Sequence, residues 1–385
     1  MNGRAGIFVT QPGGYKAFIP KPLPPSPSIH YDQNLQSLLS KADRALARLD
    51  GITTVLPNPD LFIAMYVKKE ALLSSQIEGT QASLEGVLEF EADLMPKENV
   101  NEIKEVINYI RALNYGMNRL KELPMSLRLT KEIHRILLEE TRGAHRNPGE
   151  FRKSQNWIGP PGASLNEAIF VPPPSEAVLP TMGKLEAFFH SKNDNIPPLV
   201  KIALIHSQFE TIHPFLDGNG RIGRLLITFY LFWDGILTKP LLYLSFYLKK
   251  NRDEYYDLLM KVRLKGVWED WIKFFLKGVS ETSEEAAKTA REVIQLKENL
   301  LTKLHKNSIS SVYSVKLIDL LFETPLVSVK DVSGKLNISK EAANELVKKF
   351  EKIGILKEIT GKQRYKKYSF REYIDIIARG TKNES

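Results

Sequence analysis

This sequence predicts a mainly α-helical protein, with a β-hairpin flap on a helical core and a winged helix-turn-helix at its C-terminal end. Three observations carry that prediction. Apolar residues recur three and four apart over much of residues 31–305, most clearly at Val100, Ile103, Val106, Ile107, Ile110, Leu113, Met117 and Leu120. Residues 146–174 break the rhythm with prolines, glycines and two short extended stretches around Trp157 and Phe170. Residues 315–370 read helix, helix, turn, helix and hairpin.

A chain of 385 residues, 43% apolar and 26% charged, can bury several cores and is neither disordered nor fibrous. No run approaches about 18 consecutive apolar residues, so no helical membrane crossing is expected. The N-terminus has no continuous apolar stretch of the secretory kind. Zero cysteines remove disulfides, thiolate metal sites and a cysteine nucleophile, and fit a cytoplasmic location. The net charge is +9, and Lys357–Arg371 concentrates six basic residues against one acid.

Taken in order, residues 1–121 are expected to form an N-terminal arm and helical domain. The arm, to about residue 30, is rich in Gly and Pro and reads as extended chain lying on something else. Asp60 is placed to N-cap a helix through Leu61–Glu78, with Gly79 as the left-handed residue that stops it. Residues 122–280 are expected to form the core, with helices at about 130–140, 175–190 and 199–212 and the flap from Arg146 to Pro174. A polar linker helix follows at 281–310. The winged-helix-like domain, 311–385, has helices Val315–Phe322, Val329–Leu336 and Lys340–Ile353, the last capped by Ser339, then a hairpin over Ile355–Phe370.

One segment combines a base, an acid, glycines and two cations, from His213 through Pro214, Phe215, Leu216, Asp217, Gly218, Asn219, Gly220, Arg221, Ile222 and Gly223 to Arg224. Apolar helices precede and follow it, which makes it a loop clamped between buried elements. Gly218 and Gly220 let backbone approach a ligand, and the next helix offers unpaired amides and the positive end of its dipole. Arg221 and Arg224 share a helical face and can fork onto phosphate oxygens. Asp217 is a hard oxygen ligand suited to Mg²⁺ held mostly by water and phosphate. His213 is left for proton transfer, so the reaction class is phosphoryl or nucleotidyl transfer.

The segment resembles the signature H-x-F-x-D/E-G-N-G-R-x-x-R of the Fic (Fido) family of AMP transferases, with every fixed position matched. The resemblance implies that His213 deprotonates a Ser, Thr or Tyr hydroxyl of a target protein, which attacks the α-phosphate of ATP. It implies further that Asp217 holds Mg²⁺, that Asn219 and adjacent amides steady the α-phosphate, and that Arg221 and Arg224 take the β- and γ-phosphates. Gly218, Gly220, Ile222 and Gly223 complete the nucleotide contact by the same likeness. The insert around Trp157–Pro173 is similar to the family's flap, which aligns a target by strand addition. Tyr255 resembles the tyrosine that contacts the nucleoside, with a core aromatic as the other reading.

Ser74-Ser75-Gln76-Ile77-Glu78-Gly79 matches the family's inhibitory motif S/T-x-x-x-E-G/N, here ahead of the core. Ser74 and Glu78 are i, i+4, and a glutamate at a helix C-terminus needs a cationic partner. The resemblance supplies Arg224, so that Glu78 occupies the γ-phosphate position; braking and AMP removal both stay open. In the C-terminal module, Lys340, Asn344 and Lys348 are placed to face a DNA groove, with Lys362 and Arg364 on phosphate. The other reading docks this module on protein or on a second copy of the chain, as a homodimer. Two functions therefore compete: a self-braked AMP transferase, and a DNA-binding regulator whose core senses nucleotide.

Overall fold

The computed structural model describes residues 3–55, 59–160, 162–192 and 195–381. The arm forms a hairpin, β1 (Gly6–Thr10) and β2 (Lys16–Pro20), paired antiparallel from Gly6 opposite Pro20 to Thr10 opposite Lys16. The sequence reading had only extended chain here. Phe8 and Phe18, opposite each other in the register, give the hairpin an inner face, and Phe18 packs edge-on to Phe8 and against Phe170. The Phe18 amide donates to the Val171 carbonyl, and Arg4 pairs with Glu269, so the arm does lie on the core.

Helices α1 (Gln33–Val55), α2 (Pro59–Ile77), α3 (Leu84–Glu91) and α4 (Val100–Arg119) follow. Helix α2 starts one residue before Asp60, whose side chain lies outside the described residues, so its capping role is not addressed. Gly79 has the expected positive φ, 100°. Helix α4 buries Ile103, Val106 and Leu113 of the predicted stripe, with Ile107 and Ile110 half-buried at its edge and Tyr109, outside the predicted set, buried as well.

The core contributes α5 (Leu127–Leu137), α6 (Ser175–His190), α7 (Pro198–Ile212), α8 (Asn219–Trp233), α9 (Ser245–Lys250) and α10 (Arg252–Lys265). Helix α7 is buried on nearly all sides, its first half largely by apolar residues and its last turns with His206, Ser207, Gln208, Glu210 and Thr211 also buried. The expected flap hairpin is instead a loop closed by a single bridge, Ile158 opposite Phe170, with one 3-10 turn at Leu165–Glu167. Pro160 and Pro172–Pro174 have no amide to donate, so no ladder extends from that bridge.

Helix α11 (Trp268–Lys306) runs 39 residues without a break, so the stretch expected to be a linker is the second half of one helix. Ala286, Ala287, Ala290, Val293 and Leu296 form a buried stripe on it, and α1 packs along the same helix. The winged module comprises α12 (Val312–Glu323), β3 (Leu326–Ser328), α13 (Val329–Leu336), α14 (Lys340–Lys352), β4 (Lys357–Glu358), β5 (Lys367–Ser369) and α15 (Arg371–Ile377). Its sheet has the order β3-β5-β4. The Ser339 hydroxyl accepts from the Ala342 amide, the cap read from sequence, whereas α15 was not anticipated. Helices α12 and α15 pack on α2, and the Gln76 amide donates to the Thr381 carbonyl. The module thus rests on the helix that carries Ser74 and ends just before Glu78. Among the described residues no helix is long and apolar enough to cross a membrane.

Candidate active site

Helix α7 ends where His213 adopts a left-handed conformation, φ 49° and ψ 60°, immediately before Pro214. That turn is held from several directions. Arg152, buried in the flap's base, donates from Nε to the His213 carbonyl at 2.9 Å and from its Nη atoms to the carbonyls of Ser154, Pro173 and Ile212. Asn156 donates to the carbonyls of His213 and Phe215 at 3.2 and 2.9 Å. Phe215 is fully buried and stacks on His134 with ring centroids 3.7 Å apart. His134 Nδ1 accepts from the Gly149 amide, which leaves Nε2 to donate to the Asp217 carbonyl at 3.0 Å. Burial lowers the His134 pKa to about 4, so the neutral ring that this pattern needs is also the stable one.

Gly218 begins α8 at φ 74°, a conformation that only glycine adopts readily. The side-chain amide of Asn219 is spent on the loop itself, accepting from the Phe215 amide and donating to its carbonyl, both at 2.8 Å. Asp217 Oδ1 accepts from the Gly218 amide at 2.6 Å, and its side chain keeps 37% of its surface open. At the N-terminus of α8, the Ile222 amide already donates to the Gly218 carbonyl, which leaves the preceding amides to a ligand. Ile222 itself is core, and Gly223 faces His206, Phe209 and Glu210.

The two arginines part company. Arg224 is almost wholly buried; its Nη2 meets Glu78 Oε1 at 2.8 Å and the Ser74 carbonyl at 3.0 Å, while Nε donates to Ser74 Oγ at 2.8 Å. The Ser74–Gly79 motif and the last arginine of the His213–Arg224 motif are therefore one cluster. Gly220 allows this, because a Cβ there would lie 2.2 Å from Glu78 Oε1. Burial alone would raise the Glu78 carboxyl, but the charge and hydrogen bond of Arg224 outweigh it and hold it below the usual carboxylate range. Arg221 faces Glu105 at 3.7 Å and Asp217 at 3.6 Å, and its Nε and Nη1 have no hydrogen-bond partner among the described residues.

Of the predicted residues, Glu78, His213, Gly220, Arg224 and Tyr255 border a cavity of about 530 Å³ together with Tyr256 and with Trp157, Ile158 and Ile169 of the flap, whereas Asp217, Asn219 and Arg221 lie outside its lining. Burial lowers the His213 pKa to about 4, helped by Arg263 and Arg152 and opposed by Glu78 and the Glu210 backbone. An imidazole that is neutral at pH 7 can accept a proton. Tyr255 is 1% exposed and its hydroxyl is 2.9 Å from His206 Nε2, whereas Tyr256 is 40% exposed beside the same cavity with Arg252 over its ring.

The sequence reading missed Glu210, Tyr256, Arg252 and Arg263 in the cavity wall, and Arg152, Asn156 and His134 behind the loop. For Glu210 a signal existed, an acid inside a largely apolar helical stretch, whereas Arg263 sits among Asp257, Lys261 and Lys265 and nothing in its local sequence sets it apart. Among the described residues no group of three or more His, Asp or Glu side chains is arranged to hold a metal ion.

Residues 36–118 match the Fic/DOC family N-terminal model, residues 124–231 the Fic/DOC family model and residues 315–369 a model described as HTH DNA binding domain. Curated relatives from Drosophila grimshawi and Drosophila yakuba, both called protein adenylyltransferase Fic, are 30% identical over 231 residues and 28% over 267 residues. Those alignments cover 56% and 65% of this chain and 43% and 47% of the relatives, so the chain spans less than half of their length. Among solved structures, a Fic family protein from Desulfovibrio desulfuricans superposes with a TM-score of 0.58 at 19% identity, covering 89% of this chain and 97% of that one. Fic-1 from C. elegans gives 0.51 at 20% identity, over 68% of this chain and 73% of the other. At such identities the likeness is one of fold.

Proposed function

This chain is a Fic/DOC family protein with a helix-turn-helix domain at its C-terminal end, and from that premise we propose that it is a protein adenylyltransferase held in check by Glu78. The observation that carries the reading is the Ser74–Arg224–Glu78 cluster beside His213 and the free amides of α8. ATP would lay its phosphates on those amides and on Arg221, whose Nε and Nη1 have no hydrogen-bond partner among the described residues. The hydroxyl oxygen of a Ser, Thr or Tyr on a target strand beside the flap would bond to the α-phosphorus while the bond to the β-phosphate oxygen breaks. Diphosphate leaves, and the hydroxyl proton passes to His213. Asp217 suits Mg²⁺, since a single half-open carboxylate next to a phosphate cradle leaves most of the ion's shell to water and phosphate. When bound, that ion would offset charge on the phosphates. Tyr255 and Tyr256 border the end of the cavity where a nucleoside would lie.

Label transfer tests the reading. ATP labelled at the α-phosphate is expected to mark protein, whereas ATP labelled at the γ-phosphate is not. γ-Label on protein would mean a kinase, and no label from either would leave nucleotide sensing by a DNA regulator.

The same proposal gives the winged module to DNA. Lys340 and Lys348 on α14 are exposed, as are Lys362, Arg364 and Lys366 between β4 and β5, and Tyr365 at that tip is 91% exposed. Replacing Lys362 and Arg364 with alanine is expected to weaken duplex binding across sequences and to flatten the plot of log affinity against log salt by about 2. No binding by the unaltered protein at low salt, checked by mobility shift, would transfer this surface to a protein partner or a second copy.

A further inference from the structure

Glu210 sits on the last turn of α7, three residues before His213. It is 6% exposed, lines the cavity, and its Oε1 has no hydrogen-bond partner among the described residues. A buried acceptor without a donor is costly, so its persistence at a cavity wall points to a donor supplied from outside. Arg263 does not meet that need, because its Nη2 donates to the Glu210 backbone carbonyl at 3.0 Å.

The carboxyl's place along α8 narrows what the donor is. A Cβ at Gly223 would lie 2.4 Å from Glu210 Oε1, as a Cβ at Gly220 would lie 2.2 Å from Glu78 Oε1. Residues three apart share a helical face with a rise of about 4.5 Å between them. Glu78 therefore stands at the turn where α8 offers its free amides, and Glu210 stands one turn deeper, beside Tyr255 and Arg263. Phosphate oxygens have no donor to give a carboxylate, and like charge would repel them. A nucleoside attached to an α-phosphate at the helix N-terminus reaches about one turn further and carries neutral donors in its ribose hydroxyls and its exocyclic amine. Burial also pushes the Glu210 carboxyl up to about 7, with Arg224 and Arg263 opposing, so a donated hydrogen bond would be needed to favour the ionised form.

We propose that Glu210 is a specificity-determining residue of the donor site, accepting a hydrogen bond from the nucleoside of ATP. This rests on the adenylyltransferase reading and adds to it a residue that selects the donor nucleotide. It is a test of binding rather than of transfer.

Dissociation constants are to be measured by titration calorimetry for ATP, 2′-deoxy-ATP, 3′-deoxy-ATP and inosine triphosphate, on Glu78→Gly protein with and without Glu210→Met. The loss of a hydrogen bond to a charged acceptor predicts that Glu210→Met weakens ATP about tenfold to a hundredfold. The analogue lacking the donor group binds the Glu210 protein weakly and loses nothing further on substitution, and so identifies the ribose or the amine. Equal losses for all four nucleotides, or no loss for any, would overturn the inference. Glu210→Gln keeps the volume and one acceptor, and is expected to repeat the pattern at smaller size if the methionine variant does not fold. Absence of ATP binding to folded Glu78→Gly protein would overturn the adenylyltransferase reading itself, a result distinct from failure at Glu210 alone.

Discussion

Glu78→Gly is expected to raise self-modification from α-labelled ATP by about tenfold to a hundredfold, the worth of a charge-assisted hydrogen bond. Three contacts define what is released: Arg224 leaves Glu78 Oε1, while its bonds to Ser74 Oγ and the Ser74 carbonyl remain to hold it in place. The arginine is then a positioned cation with its outward fork free. Removing Glu78 also relieves Gly220 of the carboxylate packed against it, which clears the first turn of α8 for phosphate. Equal labelling of the two proteins in a timed assay would show that Glu78 is no brake. A faster loss of label from the unaltered protein would assign it to AMP removal.

His213→Ala in that same background is expected to cut transfer by about 10² to 10⁴, the range for a positioned general base, with ATP affinity retained. Retention follows from the loop's construction, because Asn219, Arg152, Asn156 and His134 hold the loop through backbone groups rather than through the imidazole. The pH profile supplies a second readout. Burial holds the His213 pKa near 4, so the ring is neutral through the neutral range and transfer falls only as acid approaches that value. Glu78 is one of the groups that favour the protonated ring, so its removal shifts the fall further into acid, not towards the free-imidazole value of about 6.5. A midpoint near that free value, or transfer that survives the alanine substitution, would take the base role from His213.

Local pattern made much of this legible in advance. The stripe on α4, the Ser339 cap on α14 and the positive φ at Gly79 each depend on residues within a few positions of one another. The motif from His213 to Arg224 was readable for the same reason, since its loop and helix start are one contiguous stretch. The arm and flap were misread in opposite senses. Five residues of β1 found a partner in β2, while the flap's prolines left one bridge where strands were expected.

The sequence by itself determined the helical class, the glycine-bearing turn from His213 into the next helix, the basic C-terminal tip and the candidates Ser74, Glu78 and His213, because each is set by local spacing and backbone preference. Only the tertiary structure decided which charges meet. Glu78 and Arg224 lie 146 positions apart and touch at 2.8 Å, whereas Arg221, three residues from Arg224, faces Glu105 instead. Asn219 turned inward to Phe215, Tyr255 gave its hydroxyl to His206, and Glu210 Oε1 at the cavity wall found no hydrogen-bond partner among the described residues. Periodicity places a side chain on a face of its own helix; what covers that face, and whether a buried polar atom finds a partner there, depends on the packing of distant helices.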